Sequence, residues 1–331
     1  MDTLFIIGGL FLAWAFGRNN ISNAFGAAVF TRMVSMRTAT VIGIVFVILG
    51  AIISGDGTSA SMLKLGSPKT MLDAFMITVS AGLVLWIMTY QGIPISIAQA
   101  MVGSVVGFSL ALQSLSQYDV LIKTVSAWLY SPFLATGVAF LIFKLMRILL
   151  RHYPVSLLKK DILTRFGLIM VGAFSAYALG ANNVTGISAP FLTATDWGSI
   201  WVNLLICAFV GLGFFTADKK VMRTMGSGLF PLSPLEALIV VFSGGLTLFL
   251  FSWGGLKGIL TYYGLPSFPL VPVPMTSAII GSIVGVSVAK GGYGLKYAML
   301  GKVVVSWVLT PILSGLICFG LMTIWLLTGK M

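Results

Sequence analysis

The stretch GRNNISNAFG, Gly17–Gly26, follows directly on the apolar run LFIIGGLFLAWAF and leads into a further apolar stretch. A second stretch, GANNVT at 180–185, sits in the same setting in the other half of the chain. An arginine and several amides between residues fit for hydrocarbon need a physical reason, and the surrounding composition narrows it. Of 331 residues, 58% are hydrophobic and only 8% charged, and the mean hydropathy is +1.04. No water-soluble domain could display such a surface. Runs such as VIGIVFVILGAII do not alternate, so membrane-spanning β-strands are excluded and an all-α integral membrane protein is expected.

A hydrocarbon core about 30 Å thick requires roughly 20 mostly apolar residues per helical crossing. The sequence divides into ten such segments, near 3–30, 39–55, 72–90, 93–112, 120–147, 163–185, 198–216, 233–253, 271–289 and 298–328. The first has no basic leading region and ends in polar residues, so it is expected to remain in the mature protein rather than serve as a secretory signal. The net charge of +12 is spread over short loops, which argues against a nucleic-acid partner and instead reports topology. Lys144, Arg147, Arg151, Lys159, Lys160 and Arg165 gather between the fifth and sixth segments, and the positive-inside rule places that loop in the cytoplasm. Both termini are then expected outside a cell membrane, with fourteen basic residues on inside segments against five on outside ones.

The two halves repeat. GRNNIS matches GANNVT, IPISIAQAMVGSVVG (93–107) matches VPVPMTSAIIGSIVG (271–285) without a gap, and KTVSAWLYSPFL (123–134) matches KVVVSWVLTPIL (302–313), in the same order. Five crossings per half is an odd number, so the copies are expected as inverted repeats, 1–150 and 163–331, joined by a basic linker at 151–162. Such symmetry offers two equivalent ways to close around a site at the repeat interface, which predicts a transporter working by alternating access.

Asn and Gly are poor helix-interior residues, so a helix broken at the midplane is expected at each GxNN. A break leaves backbone N–H groups and the positive end of a helix dipole pointing at one place, an arrangement that suits an anion. The candidate substrate-binding residues are Arg18, Asn19, Asn20, Ser22 and Asn23 in the first element, and Asn182, Asn183, Thr185 and Ser188 in its copy. Ser96, Thr276 and Ser277 join them from the proline-broken segments. The plainer reading of each hydroxyl is that it caps a kink or glues helices together. Arg18 has no carboxylate within a span to neutralise it, and the substrate is expected to be its missing partner. Gly103/Gly107 and Gly281/Gly285 read as close helix contacts. Cys207 and Cys318 make neither a disulfide framework nor a metal site, His152 has no ligand cluster, and nothing assembles a nucleophile, base and acid. No enzyme and no cofactor are expected.

With these motifs in view, the chain resembles the inorganic phosphate transporter (PiT) family, including its sulfate-permease branch. Members carry a G-A-N-D-x-A-N signature in each half and a P-V-S-T-T-H stretch; here stand GRNNISN (17–23), GANNVTG (180–186), PISIAQ (94–99) and PVPMTS (272–277). The resemblance implies secondary transport of a tetrahedral oxyanion coupled to protons or sodium, and a homodimer. Asn20 and Asn183 replace the family's aspartates, Arg18 its first alanine, and Gln99 and Ser277 its histidines. Hydrogen phosphate is a donor as well as an acceptor and gains from a carboxylate, whereas sulfate has no proton to offer and prefers amide and guanidinium donors. The expectation is therefore sulfate, with proton-coupled or sodium-coupled phosphate symport as the alternative. An anion channel or a structural membrane protein are the readings from other classes.

Overall fold

The computed structural model describes residues 2–152 and 156–328, and among these every regular element is helical. A 3₁₀ turn (Asp2–Ile6) leads into α1 (Ile7–Ile21), a π turn (Ser22–Gly26) and α2 (Ala27–Phe30). Next come α3 (Met36–Ser54), α4 (Asp56–Leu65), α5 (Met71–Tyr90), α6 (Ile97–Ala111) and α7 (Tyr118–His152). The second half runs through α8 (Leu157–Leu179), a π turn (Gly180–Val184), α9 (Thr185–Ala194), α10 (Ser199–Phe215) and α11 (Lys219–Arg223), which ends in a third π turn (Thr224–Gly228). It closes with α12 (Pro234–Leu250), α13 (Gly254–Tyr262), α14 (Met275–Ala289) and α15 (Tyr297–Thr328).

Among the described residues, six helical stretches are long and apolar enough to cross a membrane. Two more candidates are bent pairs, α10 with α11 at 74° and α12 with α13 at 66°. At 15 residues each, α6 and α14 reach only about 22 Å, short of the hydrocarbon thickness. Extended segments precede them, where proline prevents helix: Pro94 and Pro272 cannot donate to a preceding turn and push the residue ahead of them out of the α region. Helix runs to His152 on one side and resumes at Leu157 on the other, so the expected linker at 151–162 is largely helical; 153–155 lie outside the described residues.

The expected breaks at GxNN are corrected. Backbone dihedrals stay in the right-handed helical region on both sides of the two sites, and the chain passes through a π turn instead of stopping. The physical reason lies in the solvent. An open break exposes several backbone groups to hydrocarbon, whereas one extra residue in a widened turn accommodates the amides while the helix continues.

Packing runs in exchanged pairs. α1 lies against α10 as α8 lies against α3; α1 meets α5 as α8 meets α12; α6 meets α15 as α14 meets α7. The crossings match residue for residue. Gly17 sits against the Val210 carbonyl and Gly213 against that of Trp14, while Gly180 sits against Val47 and Gly50 against Tyr177. At the other interface Gly103 faces Pro311, and Gly281 faces Pro132, so the small-residue pairs are close helix contacts as expected. Even the caps correspond: Thr70 with Asp73 opens α5, and Ser233 with Glu236 opens α12, as reciprocal capping boxes. Because a Cβ at Gly17 would collide with backbone, Gly17→Ala is expected to cost about 1–3 kcal/mol by overpacking. Gly137, with open space around its Cα, should accept alanine without loss; thermal unfolding of the two variants in detergent checks the contrast.

Candidate functional site

Asn182 and Asn183 lie in the second π turn, and Asn19 and Asn20 stand in the last turn of α1 just before the first; the helix geometry separates the roles within each pair. Asn19 and Asn182 are fully buried and face the extended segments. The Asn182 amide donates to the Val271 carbonyl at 3.1 Å while its oxygen accepts from the Val273 N–H at 2.7 Å. Asn19 donates to Thr89 Oγ1 at 2.8 Å and, at 3.5 Å, to the Ile93 carbonyl. These two side chains supply the hydrogen bonds that a strand neighbour or water would give elsewhere, and so hold non-helical backbone inside the membrane.

The second asparagine of each pair behaves differently. Asn20 Oδ1 accepts from Asn23 Nδ2 at 2.7 Å, and the same Asn23 amide reaches Thr276 Oγ1 at 3.2 Å, whose hydroxyl donates to the Ile95 carbonyl at 3.1 Å. This chain joins the first π turn, the first extended segment and the start of α14. Asn20 Nδ2, Asn23 Oδ1, Gln99 Oε1 and both amide atoms of Asn183 are buried without a partner. A buried orphan amide costs roughly 1–3 kcal/mol, so its persistence needs a reason. At the helix start that Asn23 reaches through Thr276, α14 begins at Met275 after Pro274 with no side chain capping it, which leaves its first N–H groups as anion donors. Gln99 was not singled out as a site residue by motif reading; its signal was its position three residues into α6, where a polar side chain meets an otherwise apolar helix.

The remaining sequence candidates are satisfied locally. Ser22 donates to the Asn19 carbonyl, Thr185 to Ala181, and Ser188 to Thr185 and Asn203. Ser96 caps α6 by accepting from the Gln99 N–H, and Ser277 donates to the Pro274 carbonyl. Gly186 and Ala98 stand where the repeat would put the mates of Asn23 and Thr276, so the polar bridge exists on one side only.

Arg18 is corrected. Its Nη2 pairs with Asp218 Oδ2 at 3.0 Å, its guanidinium lies 5.6 Å from the Trp14 ring, and its side chain is 29% exposed. Two residues along a helix is more than half a turn, so Arg18 faces away from Asn20. The bend between α10 and α11 brings Asp218 to it, a carboxylate from outside the expected segments. Of the carboxylates that could have carried protons, Glu236 is tied to Lys290 at 2.9 Å and to the Ser233 N–H, and Asp56 is exposed. Among the described residues no group of His, Cys, Asp and Glu could hold a metal ion.

The sequence profile described as "Phosphate transporter family" matches residues 16–266, a range that contains both π turns and the first extended segment. The chain belongs to the phosphate transporter family. A relative from Methanocaldococcus jannaschii, named as a phosphate permease, is 26% identical over 95% of this chain and 94% of its own length. The sulfate permease CysP of Bacillus subtilis is also 26% identical, over 98% of this chain and 88% of its own. A solved structure described as the sodium-dependent phosphate transporter superposes with a TM-score of 0.79 over 99% of this chain and 100% of that one, at 19% identity, which shows a shared fold. The several long apolar helices and the family together describe a multi-pass membrane transporter, and neither the family nor the structural neighbour is an enzyme.

The bonding pattern separates Asn182, which supports buried backbone, from Asn183, whose amide has no partner. Asn182→Ala removes partners from buried backbone and should lower stability by about 1–3 kcal/mol. Asn183→Ala removes only unpaired atoms, so its thermal unfolding in detergent should match the parent or exceed it. If Asn183→Ala proved the more damaging of the two to stability, the assignment of roles would fail.

Proposed function

We propose that this transporter carries a tetrahedral inorganic oxyanion by alternating access, as a secondary transporter. The oxyanion is held by Asn20, Asn23 and Asn183 with Gln99, Thr276 and the start of α14. The observation that carries the reading is the set of buried, neutral, unpartnered amides, one of which, Asn23, reaches an uncapped helix start. Neutral donors and a helix dipole stabilise an oxyanion without pinning it as a permanent counter-charge would, which suits a ligand that must also leave.

The chain is read as ten crossings in two inverted repeats, 1–150 and 163–331, with both termini outside. The exchanged packing of α1 on α10 and α8 on α3 supports the duplication, and an odd number of crossings per half supports the inversion. For the substrate, kinship favours phosphate over the sulfate expected from the site's chemistry. The family and most of the relatives are named for phosphate. Sulfate remains as a second reading on a specific observation: no carboxylate is among the hydrogen-bond partners of these amides, so only neutral amide oxygens are there to accept the proton of hydrogen phosphate. Coupling to sodium or protons and a homodimer rest on kinship.

The deciding experiment is uptake of radiolabelled phosphate into proteoliposomes under an imposed sodium or proton gradient, with sulfate as competitor. Phosphate is expected to accumulate and to show counterflow. Asn183→Ala is expected to weaken its half-saturation about ten- to a hundredfold, the size of one hydrogen bond to a charged group. Preferential accumulation of sulfate would select the second reading; a flux without counterflow would make the protein a channel and end the carrier reading.

A further inference from the structure

The two halves share their packing but not their hydrogen bonds at the extended segments. In the second half, Val271–Val273 is clamped three times. Asn182 donates to the Val271 carbonyl and accepts from the Val273 N–H, and Trp128 Nε1, from α7, donates to the Pro272 carbonyl at 2.9 Å. The repeat supplies a counterpart for every one of these groups. Asn19 answers Asn182, Ile95 answers Val273, Trp307 on α15 answers Trp128, and Pro94 answers Pro272. In the first half the clamp is open: Asn19 Oδ1 and Trp307 Nε1 are both buried without partners. Only the long contact from Asn19 to the Ile93 carbonyl remains, and the Ile95 carbonyl is taken instead by Thr276 from the other half.

Those two orphans are the mates of the two atoms that close the clamp in the other half. Unmet donors and acceptors in hydrocarbon are costly, and an N–H and an oxygen left open at repeat-equivalent positions need a state in which they are met. We propose that Trp128 and Trp307 form a reciprocal latch. In the opposite-facing state Trp307 donates to the Pro94 carbonyl and Asn19 Oδ1 accepts from the Ile95 N–H, while Trp128 and Asn182 release Pro272 and Val273. The state seen here has the second segment clamped and the first released. One segment is thus fixed while the other is free to move in each half of the cycle, and inverting the molecule exchanges the two. The latch rests on the alternating-access reading above, because a protein with one resting state has no occasion to exchange the bonds.

The test is hydrogen–deuterium exchange on the full chain in lipid nanodiscs, read at the amides of Ile95 and Val273. Trp128→Phe should speed exchange at Val273 and slow it at Ile95. Trp307→Phe should do the reverse at Val273, slowing it about two- to tenfold, the worth of one neutral hydrogen bond. The second variant is the decisive one, since the Trp307 N–H has no partner in this state whose loss could disturb the fold. If Trp307→Phe leaves Val273 unchanged, as it would were the indole bonded to a lipid carbonyl, or if both variants act in the same direction, the latch is wrong. Counterflow of phosphate and of sulfate in proteoliposomes of the unmodified protein separates the two ideas. Counterflow of either anion without reciprocal exchange removes the latch alone, and absence of counterflow for both removes alternating access and the latch with it.

Discussion

Every departure from helix in this molecule depends on one constraint: within hydrocarbon, a backbone N–H or carbonyl must find its partner in the protein. The extended segments ending at Ser96 and Pro274 break that rule unless something reaches them, and Asn19 and Asn182 are what reach them. Adjacent residues on a helix point about 100° apart, so neighbouring amides can serve different purposes, and a π turn follows the first pair and contains the second. Once the segments are held, α6 and α14 can begin partway through the membrane, and their first turns become available to a ligand. The proposed binding site is therefore a consequence of how the backbone is satisfied.

The glycine crossings serve the same end at longer range. Gly17 against Val210 and Gly213 against Trp14, with Gly180 against Val47 and Gly50 against Tyr177, bring two helix pairs to backbone contact directly beside the π turns. Without a hydrophobic driving force between helices in lipid, such close approach and its dispersion contacts supply the cohesion. The π turns are thereby held by rigid neighbours on one side while the extended segments on the other depend on a few hydrogen bonds.

Much of this was legible in the chain. Periodic apolar runs located the helices, and the repeated GxNN, the aligned prolines and the paired Trp128 and Trp307 gave the duplication. Two things were not. A sequence shows that Gly and Asn disfavour regular helix but not how the strain is resolved, so the π turn was taken for a break; the cost of open backbone in hydrocarbon decides between them. Arg18 was assigned to the substrate because Asp218 lies two hundred residues away, and only the 74° bend between α10 and α11 brings the pair together. Long-range partners of this kind leave no local signature. For the hydroxyls the sequence could not tell a capping role from a binding one. Ser22, Thr185 and Ser188 bond backbone of their own helix, whereas Thr276 bridges two halves.

The pairing of Arg18 with Asp218 changes how selectivity must arise at the proposed site. With a guanidinium in the cavity, any dianion would be held by charge, and phosphate and sulfate would differ little. Without it, the remaining contacts are neutral amides, a hydroxyl and a helix start, and charge alone no longer decides. Discrimination then falls to the match of donors and acceptors, where a single unmatched group in a buried site weighs heavily. Asn23 Oδ1, Gln99 Oε1 and Asn183 Oδ1 are acceptors that a fully ionised sulfate could not use and that the proton of hydrogen phosphate could. The same unpartnered oxygens therefore give the proposed carboxylate-free site a means of recognising a protonated anion, so the anion that kinship favours can be met there.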